Sequence, residues 1–237
     1  MKKLREGVST GSCMTGGAEA SVIWQTTGKC PSVVKVDTPI GKTLYLDIIP
    51  REFGVCGVVK DAGDDPDVTN GSEIVTKVEL FEEEGDIFFF GGEGVGTITQ
   101  EGLKIPPGQP AINPVPRQMA EKAIRKIIGN KKASVTVSIP GGKELAKKTF
   151  NPRLGIVDGL SVLGTTGIVR PMSEEAMKDS LIAELDMYAK QGHKTILFVL
   201  GGTGETALKE QYGEFQCILQ VSNYIGFMIE EAVERGF

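Results

Sequence analysis

Four aspartates, Asp61, Asp64, Asp65 and Asp67, fall within the segment KDAGDDPDVTNG (60–71), directly after the apolar run GVCGVV. Like charges this close repel, so the loop must find cations, backbone donors or water, or let a carboxyl group hold a proton. A calcium loop needs oxygen ligands at its first, third and fifth positions, then a glycine, and a carboxylate at its end. Reading from Asp65 puts Asp67 and Thr69 in register, but Asn70 stands where glycine belongs and Thr76 where the last carboxylate belongs. The calcium reading fails, and no metal site is expected here. DDPD and TNG also suit ordinary turns, because proline fixes φ and Asn-Gly tolerates positive φ.

Three further stretches carry chemistry-bearing types. Gly202-Thr-Gly204-Glu-Thr-Ala207 fits GxGxxA after an apolar strand and before a helix, the setting in which backbone donors approach a nucleotide-like ligand. The next strand ends in Ser222-Asn223, without the acid that grips a ribose diol in dinucleotide sites. GGEGVGT (91–97) links strands instead of opening a helix and fails the same context test. Thr10, Gly11, Ser12 and Cys13 precede a helix, where amides and hydroxyls can hold a carboxylate or phosphate; Cys13 there has either a lowered pKa or, more commonly, a packing role. His193, the sole histidine, follows Gly192 at a helix end and supports neither a Ser-His-Asp nor a His-metal site.

The elements that must position these residues read as two halves. In the first, SVVKVDT, TLYLDII, GVCGVVK, EIVTKVEL, DIFFF and GTITQ predict a mostly antiparallel sheet. A helix is predicted from near Met14 to before Gly28, weakened by Gly16 and Gly17. The proline-rich KIPPGQPAINPVP forms a stiff loop, and a helix from Pro116 to Asn130 places Ala120, Ala123, Ile124, Ile127 and Ile128 on one face. The second half alternates strand and helix: GIVDGLSVLG as a strand, a helix capped by Ser173 with Met177, Leu181, Leu185 and Tyr188 inward, TILFVL as a buried strand, CILQVS as another, and a last stripe of Ile225, Met228, Ile229, Ala232 and Val233. The fold class expected is α/β. It pairs an α+β domain over 1–150 with a Rossmann-like parallel domain over 151–237.

The 237 residues carry a net charge of −5 and no dense basic block, so nucleic acid is not an expected partner. Cys13, Cys30, Cys56 and Cys217 lack zinc spacing, no signal peptide is evident, and no apolar run approaches a membrane span. A cytoplasmic protein without a membrane partner is expected; a homo-oligomer is left open.

Taken together, LREGVSTGSC, KDAGDDPDVTNG, GGEGVGTITQEGL, GQPAINPVPRQM, NPRLGIVDGLSVLGTTGIVRPMS and SNYIGF resemble the CbiD family, cobalt-precorrin-5B C-1 methyltransferases of anaerobic cobalamin biosynthesis. Val8 replaces an aromatic of that pattern, Gly16-Gly17 replace alanines, Asp158 replaces a glycine, and GGTGE varies the glycine loop. The family continues past SNYIGF into a GHIGK-type segment, so the second domain is expected to be short relative to it.

The resemblance implies methyl transfer from S-adenosylmethionine to C-1 of a carboxylate-rich cobalt tetrapyrrole, the cobalt being part of the substrate only. Asp61, Asp64 and Asp65 are the expected catalytic wall, with mutual repulsion raising at least one pKa. Thr10, Ser12, Lys60, Asn113, Arg117 and Arg153 are expected to bind substrate, since its acid arms need local cations. Arg5 and Arg170 lie in the matching motifs as well. Gly202, Gly204, Glu205, Asn223, Thr165 and Thr166 are expected around the methyl donor. The alternatives are a nucleotide-binding small-molecule kinase, which lacks P-loop spacing, and a corrinoid-binding subunit without catalysis.

Overall fold

The structure is a computed structural model and describes residues 4–171, 174–213, 215 and 217–237. Helices and strands are mixed in an α/β fold that divides into two compact units, one of residues 1–99 and 107–172, the other of 100–106 and 173–237.

In the first unit β1 (Gly7–Val8) leads into α1 (Thr10–Thr27). The helix begins four residues earlier than predicted because Ser9 caps it, its hydroxyl accepting from the Ser12 amide. Nearly every residue of the first three turns of α1 is buried, so no single apolar stripe marks it. Gly16 and Gly17 have a packing reason: a Cβ at Gly16 would lie 2.8 Å from Leu46 and one at Gly17 2.9 Å from Thr76. The helix pressing this close is what alanine would prevent.

β2 (Val33–Asp37) and β3 (Thr43–Asp47) form a hairpin. β4 (Ile49–Pro50), β5 (Val55–Val59), β6 (Glu73–Glu84) and β7 (Ile87–Gly91) follow, then β8 (Thr97–Ile98), α2 (Pro114–Ile128), β9 (Lys131–Ser138) and α3 (Gly142–Ala146). The main sheet runs β4-β5-β6-β9-β7, antiparallel except for the parallel β7-β9 pair. α1 and α2 pack against each other, and the predicted inner face of α2 is buried at Ala120, Ala123 and Ile124. β10 (Ile156–Val157) pairs with β8, and β11 (Ile168–Val169) pairs with β1. GIVDGLSVLG is therefore no regular strand of a parallel sheet. Only β10 is regular within it; Leu160 and Val162 make single bridges to Val95 and Ile112 of the first unit. Asp158 adopts φ 63, the left-handed region that glycine takes freely, which accounts for the glycine of the family pattern.

The second unit holds α4 (Glu174–Lys190), β12 (Leu197–Val199), α5 (Gly201–Tyr212), β13 (Ile218–Gln220) and α6 (Ile225–Glu234). β12 and β13 are parallel with α5 as the connection. Ser173, the predicted cap of α4, lies outside the described residues. Leu181, Leu185, Met228 and Ala232 join Leu219 and Val221 in a core. Met177 does not point inward but is exposed, and the α6 stripe is only half buried: Ile225, Ile229 and Val233 face outward.

Candidate functional site

The sequence strings that look most alike in type converge on the start of α1. Val8 donates its amide to the Asp61 carbonyl at 2.7 Å, and Gly11 donates to Leu163 at 3.0 Å. Gly7 lies so close to Ala62 that a Cβ there would sit 2.1 Å from its carbonyl carbon. Thr10 and Ser12, expected to bind substrate, are buried here. The Thr10 hydroxyl donates to the Leu163 carbonyl (3.1 Å) and accepts from the Leu163 amide (2.9 Å), while Ser12 Oγ donates to Gly167 (2.7 Å). Both hydroxyls lock the 161–167 segment onto the helix. Cys13 is a packing residue, its thiol pushed up to about 12 by burial.

The aspartate segment lies beside this junction and divides its charges among separate partners. Arg5 grips Asp61 through both guanidinium nitrogens, and the Gly63 amide donates to the same carboxylate at 2.9 Å. These bonds hold Asp61 at about 2, so the expected repulsive rise is reversed there. Asp64 is exposed and accepts from the Arg5 amide at 2.7 Å. Asp67 takes the Lys60 ammonium at 2.7 Å and the Thr69 amide and hydroxyl at 2.8 and 2.6 Å. Burial works to raise the pKa of Asp67, but the ammonium and the Thr69 donors outweigh it and leave it lowered. Lys60, expected to bind substrate, is almost wholly buried on that carboxylate. Asp65 is half-buried, its amide donating to Ala62. Asn70 closes the loop by accepting from the Ala62 amide at 2.8 Å.

Arg117 sits on the first turn of α2, where Pro114 and Pro116 fix the backbone and Asn113 takes the N-cap position without a side-chain bond. Its Nε donates to Ile112 (2.7 Å) and Nη2 to Pro110 (3.3 Å), and the guanidinium lies 5.8 Å from the Phe89 ring centre. No carboxylate pairs with it among the described residues, and burial lowers its pKa. A half-desolvated guanidinium held by neutral carbonyls keeps its charge uncompensated and can take an anion. Arg153 is half-buried in the turn after α3.

In the second unit α5 starts at Gly201 itself, so Gly202 and Gly204 are helical and no separate glycine loop precedes them. Open space surrounds Gly202, and the first amides of α5 lack intrahelical acceptors. Glu205 is committed within the unit, accepting from Gln220 at 2.5 Å and pairing with Lys209 at 2.9 Å. Asn223 is exposed in the turn before α6. Thr165 and Thr166 belong to the first unit; the Thr166 hydroxyl donates to Ile168 at 2.9 Å.

One feature was missed by reasoning from motifs. A cleft of about 270 Å³ opens between α1, β2 and α2, with Thr15, Val36, Met119 and Ala123 beneath it and Glu19, Lys35, Lys122, Lys126 and Thr165 around it. The signal available was weak: Lys122 and Lys126 share a helix face one turn apart, a spacing common to solvated helix surfaces.

A chain of this α/β architecture, with a helix start locked by serine and threonine against glycine turns and an acidic segment beside it, has known counterparts. The family described as CbiD matches residues 1–171, and the chain belongs to that family. It is 48% identical over 241 residues to a cobalt-precorrin-5B C(1)-methyltransferase of Thermoanaerobacter sp., covering 100% of this chain and 66% of that protein. A relative of the same description from Methanocaldococcus jannaschii is 45% identical over 99% of this chain and 67% of its own length. Across the four curated relatives from Thermoanaerobacter to Desulfitobacterium, the chain spans 61–66% of their length. The crystal structure of the cobalamin biosynthesis protein CbiD from Archaeoglobus fulgidus is 28% identical with a TM-score of 0.57, covering 98% of this chain and 74% of that one.

Proposed function

We propose that this chain takes part in transfer of a methyl group from S-adenosylmethionine to C-1 of cobalt-precorrin-5B, giving cobalt-precorrin-6A. The observation that carries the reading is the 48% identity, over the whole chain, to a relative described as performing that methylation. When bound, S-adenosylmethionine supplies an electrophilic methyl: the C–S bond breaks with its electron pair going to sulfur, and the ring carbon's pair forms the new bond. Little acid-base chemistry is needed, so positioning dominates.

On this reading the first unit receives the macrocycle and the second the donor. Arg117 takes a carboxylate arm of the ring, its guanidinium being the best-placed unpaired cation of the expected set. Asn113 and Arg153 are further polar groups for the same ring. Asp64 and Asp65 form the polar wall that steadies positive charge near the reacting carbon. Asp61, held ionised by Arg5, serves that wall as a fixed charge and not as a proton acceptor. Lys60, Thr10 and Ser12 act by holding the wall and the helix start in place. The exposed start of α5, at Gly202, fits a donor's carboxylate through first-turn amides that lack intrahelical acceptors, with Gly204 in the same turn and Asn223 as a further donor or acceptor. Thr165, on the rim of the first-unit cleft, serves the macrocycle side of the reaction and not the methyl donor. Among the described residues no helix is long and apolar enough to cross a membrane.

The test is incubation of the chain with cobalt-precorrin-5B and methyl-labelled S-adenosylmethionine. One labelled methyl on the product supports the reading. Macrocycle binding with no label transferred makes the chain a binding subunit, and stimulation by ATP instead of the labelled donor makes it a kinase.

A further inference from the structure

The cleft between α1, β2 and α2 has a charge pattern opposite to that of the protein around it. The chain is net negative, yet three lysines, Lys35, Lys122 and Lys126, stand around this opening against two acids, Glu19 and Asp37. Asp37 is already satisfied: Lys126 donates to one of its oxygens at 3.1 Å and Thr43 to the other at 3.1 Å. That leaves Lys122 on one wall and Lys35 on the other without an ion pair among the described residues; Lys35 leans over the Tyr45 ring at 5.5 Å. Glu19 is half-buried in the cleft and makes no hydrogen bond or ion pair among the described residues. Burial raises its pKa, the nearby Lys126 opposing this and Asp37 adding to it.

Beside an incoming carboxylate, the lysines become counter-ions. Size narrows the ligand further. About 270 Å³ lies just under the range of pockets that enclose a whole drug-sized ligand. A tetrapyrrole ring is larger than that, so only its peripheral arms can enter.

We infer that this cleft is a carboxylate subsite that takes one or two acid arms from the edge of a macrocycle, with Lys122 and Lys35 as counter-ions. The identity of the ligand rests on the proposed function; the anion preference rests on the cleft alone.

The experiment measures binding of uroporphyrin, an octacarboxylate tetrapyrrole, to the 237-residue chain by fluorescence quenching, with circular dichroism to verify folding. Lys122→Glu and Lys35→Glu should each weaken binding roughly tenfold, equivalent to about 1.4 kcal/mol. Lys148→Glu, exposed on the same unit outside the cleft, should leave it within about twofold, and Glu19→Gln should retain or tighten it because an opposing charge is removed. Equal affinity in all the lysine variants, or no binding by the parent chain, overturns the inference. The labelled methyl-transfer assay separates the two ideas. Transfer that is unaffected by Lys122→Glu leaves the reaction standing without this subsite, and cleft-dependent binding without transfer leaves the subsite standing without the reaction.

Discussion

Replacing Lys60 with methionine removes a cation whose side chain is 1% exposed and leaves the Asp67 carboxylate, 25% exposed, without its ammonium. Breaking one partner of a buried pair costs about 3–5 kcal/mol. Asp67 keeps its bonds to the Thr69 amide and hydroxyl, and methionine fills most of the space of the lysine stem, so the lower end applies. A loss of about 3 kcal/mol lowers the melting temperature of a unit this size by roughly 6–12 °C. Urea denaturation of the wild type, Lys60→Met, Asp67→Leu and the double variant closes a cycle in which the double variant regains much of the loss. The pH dependence has a definite sign. The folded pKa of Asp67 is depressed, so the pair stabilises fully above the ordinary carboxyl pKa of about 3.9, and that contribution is lost as pH falls through the lower folded value. Lys60→Met should flatten this acid limb. Additive single losses, or a Lys60→Met cost under about 1 kcal/mol, would refute the clasp and return Lys60 to the list of free cations.

Arg5→Ala removes a solvent-exposed pair and should leave the melting temperature nearly unchanged, while Asp61, read by carboxyl-carbon NMR, titrates well above its present value of about 2; an unmoved titration contradicts the role of Arg5. Gly7→Ala drives a Cβ to 2.1 Å from the Ala62 backbone and should cost about 3 kcal/mol by denaturation, against near-neutral behaviour if the β1 segment can move aside. Arg117→Ala should weaken macrocycle binding about tenfold at matched folding, and Arg117→Lys should recover only part of that because the two-point fork is gone; unchanged binding removes Arg117 from the site. Asp64→Asn or Asp65→Asn should lower methyl-transfer turnover with melting temperature unchanged, and full turnover in both would take the aspartates out of the mechanism.

What the sequence made legible followed from periodicity and turn chemistry. The first-unit strands alternate in burial, as in Val33–Asp37, and the inner face of α2 was readable from its i, i+3, i+4 spacing. The start of α1 was missed because a helix buried on most sides carries no stripe, and the Ser9 cap outweighs the low propensity of the two glycines. GIVDGLSVLG has strand composition but spends its backbone bonds singly, on Gly94, Gly96, Ala111 and Asn113, a tertiary arrangement no local pattern encodes. The exposed half of the α6 stripe shows the same limit: periodicity reports an apolar face but not what covers it. In the candidate site, residue types were legible and their commitments were not. Thr10, Ser12 and Lys60 have the chemistry of ligand-binding groups, and the fold uses that chemistry on its own carbonyls and on Asp67.

Those commitments bear on how an acidic chain would hold the acidic ring of the proposed reaction. The Asp60s segment draws cations toward itself: Arg5 goes to Asp61 and Lys60 to Asp67, while Arg170 pairs with Glu6 at 3.5 Å. A cation spent in this way cannot also compensate a ligand carboxylate without releasing its first partner, and for the buried Lys60 that release carries the cost worked out above. Binding must therefore use charges that the fold leaves unspent. On α2 these are Arg117 at the first turn, over Phe89, and Lys122 on the opposite side, facing the cleft with α1. Residues five apart on a helix are separated by roughly 140°, so the two cannot serve one carboxylate. A ring with acid arms around its rim can meet such dispersed cations where a compact dianion cannot, and this is a physical reason, independent of sequence likeness, to favour a large polycarboxylate over a phosphate as the ligand of the first unit.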